Sequence, residues 1–456
     1  MKQFQAIILL IFSVFALISC QSDDTVPIFE KGTNEYVNQW MYDQMKKYYY
    51  WNDNIKGKGD ISLSPEEFFS ELLSPEDRFS YAYHPSLPQT ISQSIRRSFG
   101  FEMGFTMYDG QAYGVVLYVL AGSPAKNYGL QRGQLVTQIN NVAVNQANYE
   151  ELYHSLEGAS SANLTIINYS TETGFTLPKE INLMSFLTFG QPLNKNIFLM
   201  ENKRIGYLEI PHFDVGMAQQ FAQQFTEFKN QSCTEIILDL RYNGGGDISS
   251  AAALCILLAP NINANDFFIR FEGNKNGGTI DQSFKETLEM NESAVSYDIL
   301  RMQRPNISKI YILCGNHTAS ASEIIINNLK PYMEVITIGE KTVGKNMAGF
   351  AITDDRNPEE QSWNLYPCIY KLYNANFDGG YNKGIEPVFH LNELEQLKVY
   401  ALGDERELLI NKAISIMTGN MDRNREQYLP TRPLRNPVVE CNESILLPRT
   451  ITDLKN

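Results

Sequence analysis

The sequence has little of what ties a chain to nucleic acid or to a metal. Its 456 residues include 38 Lys and Arg against 52 Asp and Glu, giving a formal net charge of −14 and no run of basic residues. This balance argues against nucleic acid as a partner, because phosphate backbones are held mainly by Lys and Arg. The 5 histidines show no HExxH or other ligand spacing. The sequence therefore predicts neither a metal nor another cofactor.

Cysteine is also scarce, with 6 residues in the whole chain and no CxxC pair. Cys233, Cys255 and Cys314 lie in or beside apolar stretches, where buried free thiols are the usual state. Apolar side chains make up 43% of the residues, with 25 Tyr and 25 Phe among the aromatic ones. That composition and length predict a globular chain of two or three domains with ample core.

A long apolar run occurs at the N-terminus. Ala6–Ile18 follows Lys2 and is too short to cross a bilayer comfortably, which predicts a signal peptide over residues 1–19. The stretch Leu17-Ile18-Ser19-Cys20 resembles a bacterial lipobox, and this resemblance implies cleavage before Cys20 and lipidation of that residue. The expected location is the bacterial cell envelope, facing the periplasm or the cell surface. An ordinary signal peptide with an incidental cysteine is the alternative.

The pattern of Tyr311–Gly349 predicts a strand, a turn, a helix, a second strand and a second turn. Ser320 opens the helical pattern, and Lys345 lies in the second turn. A serine hydroxyl needs a nearby base to become a nucleophile, and lysine serves if burial lowers its pKa from about 10.4 towards about 7–8. Free N–H groups at a helix start would also favour an oxyanion. In the alternative interpretation, the hydroxyls here only cap a helix.

TASASE followed by GEKTVGK resembles the catalytic core of the C-terminal processing peptidases, also called tail-specific proteases. The spacing between the serine and the lysine is also similar to that in the family: here it is 25 residues, from Ser320 to Lys345. The resemblance implies that Ser320 is the nucleophile and Lys345 the base. It also implies an oxyanion hole at the amide of Ala321 and an orienting role for Glu323.

From about Phe186 onward, apolar strands alternate with helical patterns, which predicts βαβ units and parallel strands. Ligands bind beyond the carboxyl ends of such strands, where both DLRYNGGG and the Ser320 turn fall. DLRYNGGG resembles the family's DLRxNxGG segment, with Gly244 where proline is usual. The resemblance implies Gly245, give or take one residue, as the second oxyanion donor. In a further departure, Gly349 stands where the family usually has glutamine.

Before that unit, the strands Glu102–Tyr108 and Gly114–Val119 precede a pattern SPAxxxGLxxGxxxxxIN. This arrangement resembles a PDZ domain of the bacterial protease type, which binds a peptide as an added strand. The resemblance implies that Phe99, Gly100 and Phe101 form the carboxylate-binding loop and that Tyr149–Leu156 is the groove helix. A PDZ fold with no ligand role is the alternative.

Together these patterns predict a multidomain α+β chain. The parts are a tether and small helical N-terminal domain (20–97), a PDZ β-sandwich or barrel-like domain (98–185), an α/β peptidase core (186–420) and a C-terminal tail (421–456). The resemblance implies a crotonase-like ββα core. Residues from about 260 to 308 fit the alternation poorly and are predicted to be an insertion near the active cleft.

The predicted function is that of an envelope serine endopeptidase with a Ser–Lys dyad. Its partners would be protein or peptide substrates, recognised by the PDZ domain through their C-termini, and it would meet the membrane only through the lipid on Cys20. The alternative is a non-catalytic PDZ or ligand-binding scaffold protein of the envelope.

Overall fold

The computed structural model describes residues 29–91, 94–186, 192–200, 202–291, 294–419 and 429–435. The predicted signal peptide and Cys20 lie outside the described residues. None of the helices in these ranges combines the length and the apolar character that crossing a bilayer requires.

The N-terminal part is helical and ends in a short strand. Ser64 caps its second helix, accepting a hydrogen bond from the Glu67 N–H while the Glu67 carboxylate accepts one in return, and Pro65 occupies the first helical position. The elements are α1 (Asn34–Tyr48), α2 (Pro65–Leu72) and β1 (Tyr81–Tyr83), with single 3-10 turns at Asn52–Asn54 and Pro88–Thr90.

Residues 94–186 form a unit built on one antiparallel sheet. Its core is a separate apolar cluster centred on Phe101, Phe105 and Leu164. The elements are α3 (Ile95–Phe99), β2 (Phe101–Tyr108), β3 (Gln111–Val119), α4 (Pro124–Asn127), β4 (Leu135–Ile139), β5 (Val142–Ala143), α5 (Tyr149–His154), β6 (Ser161–Ile167), β7 (Tyr169–Ser170), β8 (Gly174–Phe175) and β9 (Lys179–Met184). The order of the strands in the sheet is β2-β3-β4-β6-β9, with β5 beside β4.

The remaining elements form a mixed α/β unit. They are β10 (Asn194–Met200), β11 (Lys203–Glu209), α6 (Ala218–Asn230), β12 (Glu235–Asp239), α7 (Ile248–Leu258), β13 (Phe267–Glu272), β14 (Thr279–Ser283), α8 (Phe284–Leu288), α9 (Tyr297–Met302), β15 (Lys309–Cys314), α10 (Ala321–Leu329), β16 (Glu334–Gly339), β17 (Met347–Ala348), β18 (Ile352–Thr353), β19 (Asn364–Tyr366), β20 (Tyr370–Tyr373), β21 (Phe389–His390) and α11 (Leu408–Thr418). The last strand, β22 (Arg432–Pro433), instead pairs with β2 in the sheet of residues 94–186. A 3-10 turn at Glu289–Asn291 follows α8.

The central sheet has six strands in the order β10-β11-β12-β15-β16-β21. β10 is antiparallel to β11, and every later pair is parallel. Helices α6, α7 and α10 pack on one face of this sheet, and α11 packs on the other. The predicted parallel βαβ arrangement is therefore present, with the carboxyl ends of β12, β15 and β16 at one edge.

The stretch from 260 to 308 is part of this unit's core, so its description as an insertion was wrong. β13 and β14 form a hairpin that continues through β20 to β17 as a four-stranded antiparallel sheet. Phe268, Phe271 and Leu300 are fully buried in the same apolar cluster as α7. The alternation fails here because a second, antiparallel sheet interrupts the βαβ pattern.

The N-terminal part shares its core with the α/β unit. Trp40, Met41 and Phe68 belong to the same continuous apolar cluster as the central sheet, and β1 pairs with β19 in a three-stranded sheet that ends at β18. The small N-terminal domain is therefore built into the α/β unit rather than attached by a linker.

Candidate active site

Three loops meet at the carboxyl edge of the central sheet, after β12, β15 and β16. The N–H of Ala319 donates to the carbonyl of Asn243 at 3.2 Å, and the N–H of Val343 donates to the carbonyl of Thr318 at 3.0 Å. These bonds bring the glycine loop after β12, the Ser320 turn and the Lys345 turn together, as the sequence led us to expect.

Ser320 occupies a strained backbone position immediately before α10. Its φ of 59° and ψ of −118° lie where non-glycine residues are rarely found. The side chain is fully buried, and its Oγ makes no hydrogen bond to any group in the described part of the chain. A sharp strand-to-helix turn of this kind is typical of nucleophilic serines, because it sets the oxygen apart from its neighbours.

Glu323 connects the two turns. Its Oε2 accepts hydrogen bonds from the N–H of Ser320 at 3.0 Å and from the N–H of Lys345 at 2.7 Å. Its Oε1 accepts from the Thr342 hydroxyl at 2.5 Å and from the N–H of Gly344 at 2.7 Å. Burial raises the pKa of this carboxyl to about 7, against the opposing effect of these four donors. A single buried side chain thus fixes both backbone segments that carry the predicted dyad.

Lys345 is buried, with only 3% of its surface exposed. Its Nζ lies 5.7 Å from the centroid of the Phe79 ring, and its charge acts on the buried thiol of Cys368. Phe79 belongs to the N-terminal part, so that part walls the lysine off from solvent. A general base at this position must present a neutral amine.

Gly245 packs directly against the Ser320 turn. Its φ is +115°, and a Cβ at this position would lie 2.6 Å from the Cβ of Ser320. Its N–H donates to Oδ1 of Asn243 at 2.8 Å. The predicted role of this N–H in the oxyanion hole therefore requires exchange of the Asn243 bond for one to the oxyanion. The other predicted donor, Ala321, is the first residue of α10.

Two protein-family models match this chain. The model described as "Peptidase family S41" matches residues 204–390, and the model of the S41 N-terminal domain matches residues 36–81. The chain belongs to peptidase family S41. The family resemblance seen in the sequence is thereby confirmed.

Individual S41 relatives are distant. A carboxyl-terminal-processing protease of Synechocystis is 26% identical over 301 residues, which cover 63% of this chain and 62% of the relative. The carboxy-terminal processing protease CtpB of Bacillus subtilis is 22% identical over 329 residues, covering 71% and 61%. The chain thus spans less than two thirds of the length of these relatives.

One solved structure is similar along most of this S41 chain. It is described as an S41 protease from Bacteroides fragilis, with 25% identity and a TM-score of 0.66, and the match covers 87% of this chain and 100% of that one. The similarity supports the arrangement of an N-terminal part and an S41 core.

Gly349, where the sequence departs from the usual glutamine, lies at a close approach of two backbone segments. A Cβ at this position would lie 2.2 Å from the carbonyl oxygen of Pro367. The next bond in this contact runs from the N–H of Ile369 to the carbonyl of Ala348, at 2.9 Å. The structure has no space here for a larger side chain, which accounts for glycine.

Phe99, Gly100 and Phe101 form the junction between α3 and β2. Both aromatic rings are fully buried. The N–H of Gly100 caps α3 by donating to the carbonyl of Arg96 at 2.9 Å, and its carbonyl accepts from Leu120 at 2.8 Å. In this conformation the Gly100 N–H is engaged within the unit, so the predicted carboxylate-binding role of this loop remains a prediction.

A buried ionic network joins residues 94–186 to the carboxyl edge of the central sheet. Arg132, on that unit, donates to Glu393 at 2.6 Å and to the hydroxyl of Tyr242 at 2.9 Å. Arg241 donates to Glu407 at 2.7 Å. Burial raises the pKa of Glu393, but the two guanidinium groups outweigh it and hold that pKa below its usual value. The glycine loop after β12 therefore starts from a residue held by this network.

Sequence reasoning missed three residues of the site: Asn243, Thr342 and Phe79. Asn243 and Thr342 stand inside the motifs already singled out, and a polar residue next to a predicted catalytic turn was the available signal. Phe79 lies more than 200 residues from Ser320 in sequence, in a part that gave no catalytic signal. The predicted free thiols are confirmed, because Cys233, Cys255 and Cys314 are buried and unpaired by disulfides.

Proposed function

We propose that this S41 chain is a serine endopeptidase that uses Ser320 and Lys345 as a dyad. The neutral amine of Lys345 takes the proton from the Ser320 Oγ as that oxygen attacks the scissile carbonyl. The observation that carries this proposal is Glu323, whose carboxylate is bonded to the backbone N–H groups of both residues. This link fixes the position of one turn relative to the other, which a working dyad requires.

The tetrahedral intermediate places a negative charge on the former carbonyl oxygen. The N–H of Ala321, at the start of α10, and the N–H of Gly245 are the proposed donors to that oxygen. Lys345 then gives its proton to the leaving amine, so the peptide C–N bond breaks and an acyl-enzyme forms on Ser320. Water hydrolyses this ester and restores the free hydroxyl.

Residues 94–186 are proposed to be a PDZ domain that recognises the C-termini of protein or peptide substrates. The support is an antiparallel sheet whose β2 runs beside α5, the arrangement in which a peptide joins the sheet as a further strand. Anchoring by a lipid on Cys20 in the bacterial envelope completes the proposal and rests on the sequence motif. The scaffold alternative is not favoured, because the catalytic turns would have no use in it.

The experiment is cleavage of an unfolded protein with an apolar C-terminus by the chain without residues 1–20. We expect Ser320→Ala and Lys345→Ala each to lower kcat/KM by about 10⁴-fold or more, because either change disables the dyad as a unit. Lys341→Ala is the matched control, since Lys341 lies in the same turn but is exposed and paired with Glu386 at 2.7 Å. Cleavage that persists in Ser320→Ala would show that the nucleophile is another residue.

A further inference from the structure

The outer edge of β2 is covered by a distant segment of the same chain. β22 pairs with β2 in antiparallel register, with Thr106 opposite Pro433 and Met107 opposite Arg432. The N–H of Leu434 then donates to the carbonyl of Phe105 at 2.9 Å. Residues 429–435, which we name the tail segment, thus extend the sheet by one strand at the edge that faces α5.

The tail segment lies in a groove between β2 and α5. The Phe105 ring centroid is 5.1 Å from that of Tyr149 on α5, and these two residues line the groove. Leu434 is half-buried against the same apolar cluster, and the Arg432 guanidinium lies 3.4 Å from the side-chain oxygen of Gln146. One apolar side chain enters the groove, while both arginines of the segment stay exposed.

The direction of the tail segment is that of a bound peptide. Because it runs antiparallel to β2, its C-terminal side points towards the start of β2, where Phe99, Gly100 and Phe101 lie. Peptides that join a sheet edge gain affinity from main-chain hydrogen bonds and specificity from pockets for alternate side chains. Leu434 is the side chain of the tail segment that packs against this unit's apolar cluster.

A proline weakens the attachment of the tail segment to β2. Pro433 has no N–H and cannot donate to the ladder, a property that confines proline to sheet edges. A second attachment lies on the peptidase core, where the N–H of Leu397 donates to the carbonyl of Leu429 and the N–H of Thr431 donates to the carbonyl of Glu395, both at 3.1 Å. The segment can therefore leave β2 while remaining tethered close to it.

We propose that the tail segment is an internal ligand of the groove, which a peptide must displace in order to bind. It also indicates the chemistry of that peptide: an extended strand with an apolar side chain opposite Phe105. The inference rests on the proposed function only in taking this groove as the site of peptide recognition. Tethering keeps the local concentration of the segment high, so displacement sets the apparent affinity for peptides.

The test measures binding of a fluorescent peptide with the sequence of residues 429–435 to the full chain, in a Ser320→Ala background. We expect Leu434→Asp to bind this probe about tenfold more tightly than the parent, a change of about 1.4 kcal/mol, because the groove is vacated. Leu177→Asp is the matched control, since Leu177 is 88% exposed in the same unit. It should bind the probe as the parent does.

A second arm locks the segment in place with Met107→Cys and Arg432→Cys, a directly paired position across the two strands. Oxidation should abolish probe binding, and reduction should restore it. Equal binding by the parent, Leu434→Asp and the oxidised form, or no binding by any of them, would overturn the proposal. Failure of the peptidase proposal would instead appear as cleavage that survives Ser320→Ala, which leaves these binding results unaffected.

Discussion

The two regions of this molecule proposed to meet a peptide are built in opposite ways. The Ser320 turn is fully buried, carries backbone strain and is held by a carboxylate with four donors. The β2 edge is held by a short two-residue strand that contains proline. Catalytic groups must be fixed before the substrate arrives, whereas a recognition edge must be able to exchange its occupant.

The contrast also separates the kinds of residue that matter. At the Ser320 turn, space and hydrogen bonds leave little freedom, so conservative changes should be costly. At the β2 edge, one apolar contact and a few main-chain bonds decide occupancy, so the effects of substitution should be modest and reversible.

Gly245→Ala should have the largest effect. The added methyl group would lie 2.6 Å from the Cβ of Ser320 and 3.0 Å from the carbonyl oxygen of Ala319, and the φ of +115° is unsuited to alanine. We expect kcat/KM for protein cleavage to fall by about 10³-fold or more. Gly216→Ala is the control, because Gly216 has a φ of +84° with no atom within 4 Å of the added Cβ. Equal losses in the two variants would mean that strain, and not the contact with Ser320, causes the effect.

Glu323→Gln should have the next largest effect. The substitution keeps the shape but turns one acceptor oxygen into a donor facing N–H groups that already donate there. We expect kcat/KM to fall by about 100-fold and the free energy of unfolding to drop by about 3 kcal/mol, since a buried set of donors loses its partner.

Glu286→Gln provides the matched control for Glu323→Gln. Glu286 forms the same reciprocal cap with Ser283 at the start of α8, but its side chain is exposed. It should change the stability by less than about 1 kcal/mol and leave cleavage unchanged. If both variants behaved alike, the linking role of Glu323 would be refuted and simple helix capping would suffice.

The smallest perturbation is hydrogen exchange of single amides, which changes no residue. The N–H of Lys345, bonded to the buried Glu323 carboxylate, should exchange about 100-fold more slowly than the N–H of Leu434, bonded to Phe105 on the sheet edge. Local opening of the tail segment is enough to expose the second amide but not the first. Comparable exchange rates would remove the contrast between the two regions.

Much of the catalytic edge could be predicted from sequence because its signals are local. The apolar runs before Ser320 and Lys345 gave two strands whose neighbouring carboxyl ends place both turns at one edge, as found for β15 and β16. The helix start, the free thiols and the strands of residues 94–186 followed from similarly short patterns.

The parts that sequence could not give depend on distant contacts. Phe79 reaches Lys345 only because the N-terminal part folds into the central core, and no periodicity encodes that. The second sheet of β13 and β14 was misjudged because antiparallel strands lack the alternation that marks βαβ units. The sequence identified residues 421–456 only as a C-terminal tail, because the contact of the tail segment with β2 joins residues more than 300 positions apart.

The pairing of β1 with β19 constrains the order in which the parts of this molecule can fold. Tyr81 lies opposite Tyr366, so the first strand has no partner until nearly 300 further residues have been synthesised. Native contacts of such high sequence separation slow folding, because the loop between them must close first. Until then, apolar residues of the helices before β1, such as Trp40 and Phe68, lack their native partners and can form other contacts. The first part of the chain is therefore among the last to reach its native contacts.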